Sequence, residues 1–316
     1  MRFRIKFVDF WRGYRPENIF LDVFEQLGAK VVNYRPEIII CSMFGQDRFS
    51  KKYKKCVKIY YTCENWFSVE SMYKNDPRNF EKQIDFTMYD YAISHYWIND
   101  PRHFRLPNYI RAAGFEYYNR LLSKKVDEIC LKNKSRFCCF VVSNPRCKER
   151  NEFFLKLSKY KPVDSYGTVF NNMGTGVNKI IGRQGDWRNE EYLKVISQYK
   201  FMIAFENSST AEYTTEKITV PMTANTIPIY WGDPLVSRTF NSRSFINCHE
   251  YSSFDEVMAE VIKLDKDGDA YQRMLTENWL TNNNVPDGVT EESFNKFFKN
   301  ILAQVRPRDS GARDGK

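Results

Sequence analysis

Short apolar runs bounded by charged or turn residues recur along the first third of the chain, at Phe3–Phe7, Ile38–Ser42, Val57–Thr62 and Tyr91–Ser94. Each is rich in β-branched or aromatic residues, which predicts strands. Polar or helix-like stretches separate them, and that alternation predicts an α/β domain. The second half repeats the logic, with strands expected at Phe137–Val142, Phe201–Phe205 and Ile227–Trp231. Helices are expected at Lys148–Leu157, at Thr215–Ala224 despite Pro221, at Phe254–Leu264 and at Tyr271–Thr276. A polar, lysine-rich stretch around 123–136 lies between the halves, so the expected domains are 1–135 and 136–290. Beyond them, Phe294, Phe297, Phe298, Ile301, Leu302 and Val305 fall at i, i+3, i+4, i+7, i+8 and i+11. That is one apolar face of an amphipathic helix over 291–305, expected to dock on a core in preference to a membrane. Residues 306–316 are polar without an apolar pattern, and a disordered tail is expected there.

Composition changes this picture little. At 42% hydrophobic and 28% charged, the 316 residues have globular, not disordered, composition. The 20 Tyr and 25 Phe could stack on sugar rings or bases, but filling a core accounts for most of them. A net charge of +9 raises nucleic acid, an anionic membrane or a phosphorylated substrate as partners. The basic residues are spread out, however, and the clusters at Lys51–Lys55 and Lys132–Arg136 read as solvated surface. No nucleic-acid partner is expected. The start alternates charged and apolar residues without an apolar signal core, and no run approaches eighteen apolar residues. Eight scattered cysteines fit reduced thiols better than a disulfide framework.

Several familiar chemistries are missing. The three histidines, His95, His103 and His249, form no HExxH, and no CxxC, GxxxxGK[ST], GxGxxG or GxSxG motif occurs. Asp267-Gly268-Asp269 could hold a divalent metal on a diphosphate, but its surroundings read as a helix-helix turn, and no metal site is expected. The sequons at Asn133 and Asn207 read as accidental.

The informative segment is 199–234, YKFMIAFENSSTAEYTTEKITVPMTANTIPIYWGDP. A buried strand runs into a polar loop, Glu206-Asn207-Ser208-Ser209, and a helix follows from Thr215. Phosphates bind well at such strand-to-helix switches, where helix amides favour negative charge. Glu216 could accept bonds from ribose hydroxyls and Lys217 could meet a phosphate, although an ordinary capped helix with a charged first turn fits equally well. FENSSTAEYTTEK followed by IPIYWGDP resembles the α-1,3/4-fucosyltransferase signature of glycosyltransferase family ten. Phe240–Asn247, Val142–Pro145 with Arg150–Phe154, and Tyr61–Asn65 resemble further blocks of that family, in the right order. Cys63, Thr214 and Ser242 depart from its common residues without removing a charged group.

The resemblance implies two facing Rossmann-like domains of the GT-B type, with acceptor bound mainly by the first and GDP-fucose by the second. It implies an inverting α-1,3- or α-1,3/4-fucosyltransferase acting on the GlcNAc of a Gal-GlcNAc glycan to make Lewis-type structures. Glu64 is then the expected base, Arg150 and Lys217 the phosphate cations, Asn207 and Tyr213 partners of diphosphate or fucose, and Glu216 of ribose. No tightly bound cofactor is expected, though divalent ions stimulate some members. Bacterial members act at the cytoplasmic face of the membrane, and a peripheral cytoplasmic location is expected here. The rival readings are a transferase using another GDP-sugar and a non-catalytic glycan-binding protein of the same fold.

Overall fold

The computed structural model describes residues 3–65, 84–174, 189–286 and 288–305. The chain divides into two compact units, one of Met1–Phe115 with Asp287–Lys316 and the other of Glu116–Pro286. Each is built on one parallel sheet. In the first unit the strands are β1 Phe3–Val8, β2 Ala29–Val31, β3 Ile38–Cys41, β4 Val57–Thr62, β5 Tyr91–Ser94 and β6 His103–Arg105, in the order β2-β1-β3-β4-β5-β6. In the second they are β7 Arg136–Phe140, β8 Val163–Ser165, β9 Tyr199–Phe205, β10 Ile227–Trp231 and β11 Ile246–Asn247, in the order β11-β10-β9-β7-β8. Both are doubly wound: the chain steps from the first strand to one side, then crosses to the other. The crevice at that switch, outside the carboxyl ends of the strands, is where such sheets bind ligands.

The apolar runs form these strands because both faces are covered. Ile38, Ile39, Ile40 and Cys41 are all fully buried, as continuous runs in parallel sheets are. The expected strands and helices are present with ends shifted by a few residues. The four shortest strands, β2, β6, β8 and β11, run only two or three residues and carry too little periodicity to be read.

The unit boundary differs from the expected one at 135/136. Helices Tyr117–Leu122 and Glu128–Lys132 belong to the second unit, so the chain passes between units twenty residues earlier than its composition suggests. The lysine-rich stretch is no linker. Lys134 Nζ donates to Ser197 O at 2.8 Å, Tyr199 O at 3.1 Å and Thr226 Oγ1 at 3.2 Å, so its polarity is spent inside the unit. The last helix, Glu291–Gln304, packs on the first unit: Phe298 meets Phe20 and Phe24, and Phe294 meets Phe104 and Phe115. Core docking is therefore its use in the folded chain. The expected tail at 306–316 lies outside the described residues.

Candidate active site

Glu64 follows the carboxyl end of β4 by two residues, and its amide donates to Thr62 Oγ1 at 3.2 Å. The preceding carbonyl, of Cys63, accepts from Asn108 Nδ2 at 2.9 Å, so the helix Asn108–Ala113 holds this turn in place. A buried cysteine at 63 is compatible with the turn; burial pushes its thiol up to about 12, where it stays neutral. Among the described residues the half-buried Glu64 carboxylate takes no hydrogen bond or ion pair. Burial raises its pKa and the positive charge of Arg111 partly opposes this. Arg111, one turn along from Asn108, is itself tied to Glu17 at 2.5 Å. Glu17 also accepts from Tyr14 Oη at 2.6 Å and Tyr61 Oη at 3.2 Å. Beside this network Phe10 stacks on Tyr14 with ring centroids 3.9 Å apart, and Trp11, 37% exposed, lies edge-on to Tyr14.

In the second unit the switch lies between β7 and β9. Arg150, on the helix Lys148–Leu157, is fully buried there. Its guanidinium donates to Phe205 O at 3.2 Å, Glu206 O at 3.4 Å, Asn144 O at 2.6 Å and Asn207 Oδ1 at 2.9 Å. Arg150 was expected as a phosphate cation; these bonds make it join the loops after β7 and β9 and aim Asn207, while its Nε takes no hydrogen bond among the described residues. Asn207 itself is exposed, and Tyr213 and Glu216 are half-buried.

Glu206, the first residue after β9, is fully buried and was not among the expected site residues. Its carboxylate accepts from Thr215 N at 2.8 Å and from Thr215 Oγ1, and pairs with Lys217 at 3.3 Å. Lys217 also meets Glu216 at 3.2 Å. Burial depresses the Lys217 pKa, but the two carboxylates outweigh it and the ammonium stays charged. For Glu216, burial raises the carboxyl, Lys217 and hydrogen bonds lower it further, and the net shift is down. The helix Glu216–Thr223 thus opens with one cation held between two carboxylates, capped by Thr215. Asp233, of the segment GDP, accepts from Glu212 N at 2.7 Å and Thr214 Oγ1 at 2.8 Å and so fixes the loop that presents Tyr213. Asp267 accepts from Ala270 N at 2.9 Å as the cap of helix Gly268–Thr276, as its sequence context implied. Among the described residues, no cluster of His, Cys, Asp or Glu could hold a metal ion, and no helix is long and apolar enough to cross a membrane.

Comparison with known proteins agrees with this arrangement. Residues 131–303 match the family described as glycosyltransferase family 10 (fucosyltransferase) C-term. The chain belongs to glycosyltransferase family 10. Residues 5–111 match the alpha-(1,3)-fucosyltransferase FucT N-terminal domain, so both units carry family 10 sequence. Alpha-(1,3)-fucosyltransferase FucT of Helicobacter pylori is 30% identical over 297 residues, 84% of this chain and 56% of that protein. Human GDP-fucose protein O-fucosyltransferase 3 is 27% identical over 252 residues, 76% of this chain and 47% of that protein. The chain spans about half the length of these curated relatives. A crystal structure of an alpha1,3-fucosyltransferase superposes with TM-score 0.72 at 25% identity, covering 96% of this chain and 90% of that one. One solved with GDP-fucose gives 0.69 at 24% identity, covering 95% and 90%. The GT-B class implied for family 10 by the motifs is therefore the fold observed, as two parallel-sheet α/β units.

Family 10 membership also sorts the residues that sequence reasoning passed over. Glu206 and Asp233 lie inside the segment that carried the resemblance, and a charged residue ending a buried strand was the available signal. Arg111 and Glu17 had none, since they sit on or beside helices far apart in sequence and meet only in the folded unit.

Proposed function

We propose that the chain is an inverting α-1,3-fucosyltransferase, moving L-fucose from GDP-β-L-fucose to the GlcNAc of a Gal-GlcNAc glycan. The observation that carries this reading is the Glu64 carboxylate just past the end of β4, which takes no hydrogen bond or ion pair among the described residues and whose pKa burial raises. A general base needs an unengaged lone pair and a pKa raised toward working pH, and burial supplies the second. In the reaction Glu64 accepts the proton of the acceptor hydroxyl while that oxygen attacks the fucose anomeric carbon. The bond from that carbon to the β-phosphate oxygen breaks, and GDP departs with the electron pair. Lys217 offsets the charge developing on GDP, and ribose hydroxyls take up Glu216. Arg150 acts as a positioning residue through Asn207, and Tyr213 reaches diphosphate or fucose. The exposed face of Trp11 and the Phe10–Tyr14 stack suit the apolar face of an acceptor sugar. The same reading has the chain work from the cytoplasm on glycans at the inner face of a bacterial membrane and make Lewis-type products.

Incubation with GDP-fucose and N-acetyllactosamine, with the product linkage read by NMR, tests it. Release of GDP with fucose α-linked to O3 of GlcNAc is expected. A β-linked product contradicts inversion, and an equal rate with GDP-mannose contradicts the donor.

A further inference from the structure

The second unit contains a cavity of about 420 Å³ that the donor-end residues do not line. Ser197 and Asn225, which line it, precede β9 and β10, so it lies at the amino-terminal end of the sheet. The donor-end residues follow the carboxyl ends of the same strands. The helix Glu216–Thr223 runs from one end to the other, roughly 12 Å of helix.

Four cations, Arg120, Lys124, Lys125 and Lys194, line the cavity against one carboxylate, Glu190. Glu190 is already engaged, 3.4 Å from Arg120. Leu193, Met222 and Trp279 supply apolar wall. Helices Tyr117–Leu122, Glu190–Ile196 and Glu216–Thr223 all end at this rim, and helix carboxyl ends favour cations. That accounts for part of the lysine content. Each end carries at most about half a negative charge, however, so the side-chain surplus of three cations is not cancelled. Lys124 is the group that a merely solvated surface would not contain. Its ammonium donates to the Glu277 carbonyl and sits 3.2 Å from the centroid of the buried Trp279 ring.

We propose that this cavity binds a phosphate-bearing anion, with its phosphate on Lys124, Lys125 and Lys194 and its organic body on the side of Leu193. Phosphate is favoured because several convergent point charges suit a polyanionic oxygen cluster. The same chemistry is offered by a free phosphate ester and by an anionic lipid headgroup. The site is separate from the transfer reaction and does not depend on it.

Binding at this cavity is coupled to protons. Burial lowers the Lys124 pKa to about 7, with Glu277 and Cys130 opposing. Arg120, Lys125, Lys194 and Glu190 are the other charged groups that face it. Only the ammonium form attracts an anion, so binding takes up a proton near neutrality and weakens as pH rises above the Lys124 pKa.

Calorimetry of the whole chain with inorganic pyrophosphate, with GDP saturating so that the donor end is occupied, reads the free-phosphate arm. Sedimentation with vesicles of phosphatidylglycerol, against phosphatidylcholine, reads the lipid arm. Saturable binding in at least one arm is expected, with proton uptake at about pH 7 and weaker binding at about pH 8.5. The exposed pair of changes Lys125→Glu and Lys194→Glu leaves the core untouched and is expected to weaken binding at least about tenfold. Binding in the vesicle arm alone, lost in the double variant, assigns the lipid source. No binding in either arm, or binding that the double variant leaves intact, overturns the proposal.

Discussion

Among the described residues Glu64 is a carboxylate without a hydrogen-bond or ion-pair partner, set near an arginine whose charge is already shared with Glu17. Burial raises its pKa and Arg111 lowers it, so these neighbours set the pH at which the carboxyl ionises. As the proposed base Glu64 would work ionised, and activity is then expected to fall as pH drops through its pKa. Replacing Arg111 by Met removes the lowering charge and is expected to move the acid limb of kcat/KM to higher pH. Glu17→Gln leaves Arg111 less neutralised and is expected to move it to lower pH. Profiles of both variants that shift in one direction, or not at all, would show that Arg111 does not tune Glu64. At the donor end, Lys217 offsets the fully buried Glu206. Lys217→Ala strands that carboxylate, and a loss of about 3–5 kcal/mol in denaturant unfolding is expected. Adding Glu206→Gln removes the orphaned charge and should recover most of it; a double variant as unstable as the single one would contradict the pairing.

At the scale of the element, the final helix shows how an apolar stripe becomes part of a core. Phe298 is fully buried between Phe20 and Phe24, so Phe298→Ala is expected to cost about 3–5 kcal/mol in thermal or denaturant unfolding. A cost under about 1 kcal/mol would mean that the helix is not docked as described. The stripe at 294–305 was legible because its 3.6-residue period extends over three turns, and the long strands were legible because they are continuous apolar runs. Strands β6 and β8 were not, since HFR and VDS hold one apolar residue each and are strands only by pairing with a neighbour. Lys134 misled for a different reason. A lysine reads as solvent-facing, whereas here three oxygen acceptors replace water around its ammonium. The donor-end loop was legible as a polar patch between strand and helix. Its internal economy was not: that three backbone carbonyls converge on the Arg150 guanidinium depends on contacts between separate loops.

For the whole molecule, the recurrence of strand and helix predicted two α/β units, and two parallel sheets are present. What the pattern could not show is that the chain leaves the first unit and returns to it at Asp287, because contacts distant in sequence decide that membership. On the proposed reading the base, Glu64, belongs to the first unit and the phosphate cation, Lys217, to the second. The most direct test is acceptor-dependent GDP release from GDP-fucose by the full chain, comparing the unaltered protein with Glu64→Gln, with GDP affinity measured in parallel. Turnover by the unaltered protein, a fall of about 100-fold or more in kcat for the variant, and unchanged GDP affinity are predicted. Undiminished turnover in Glu64→Gln would contradict the account.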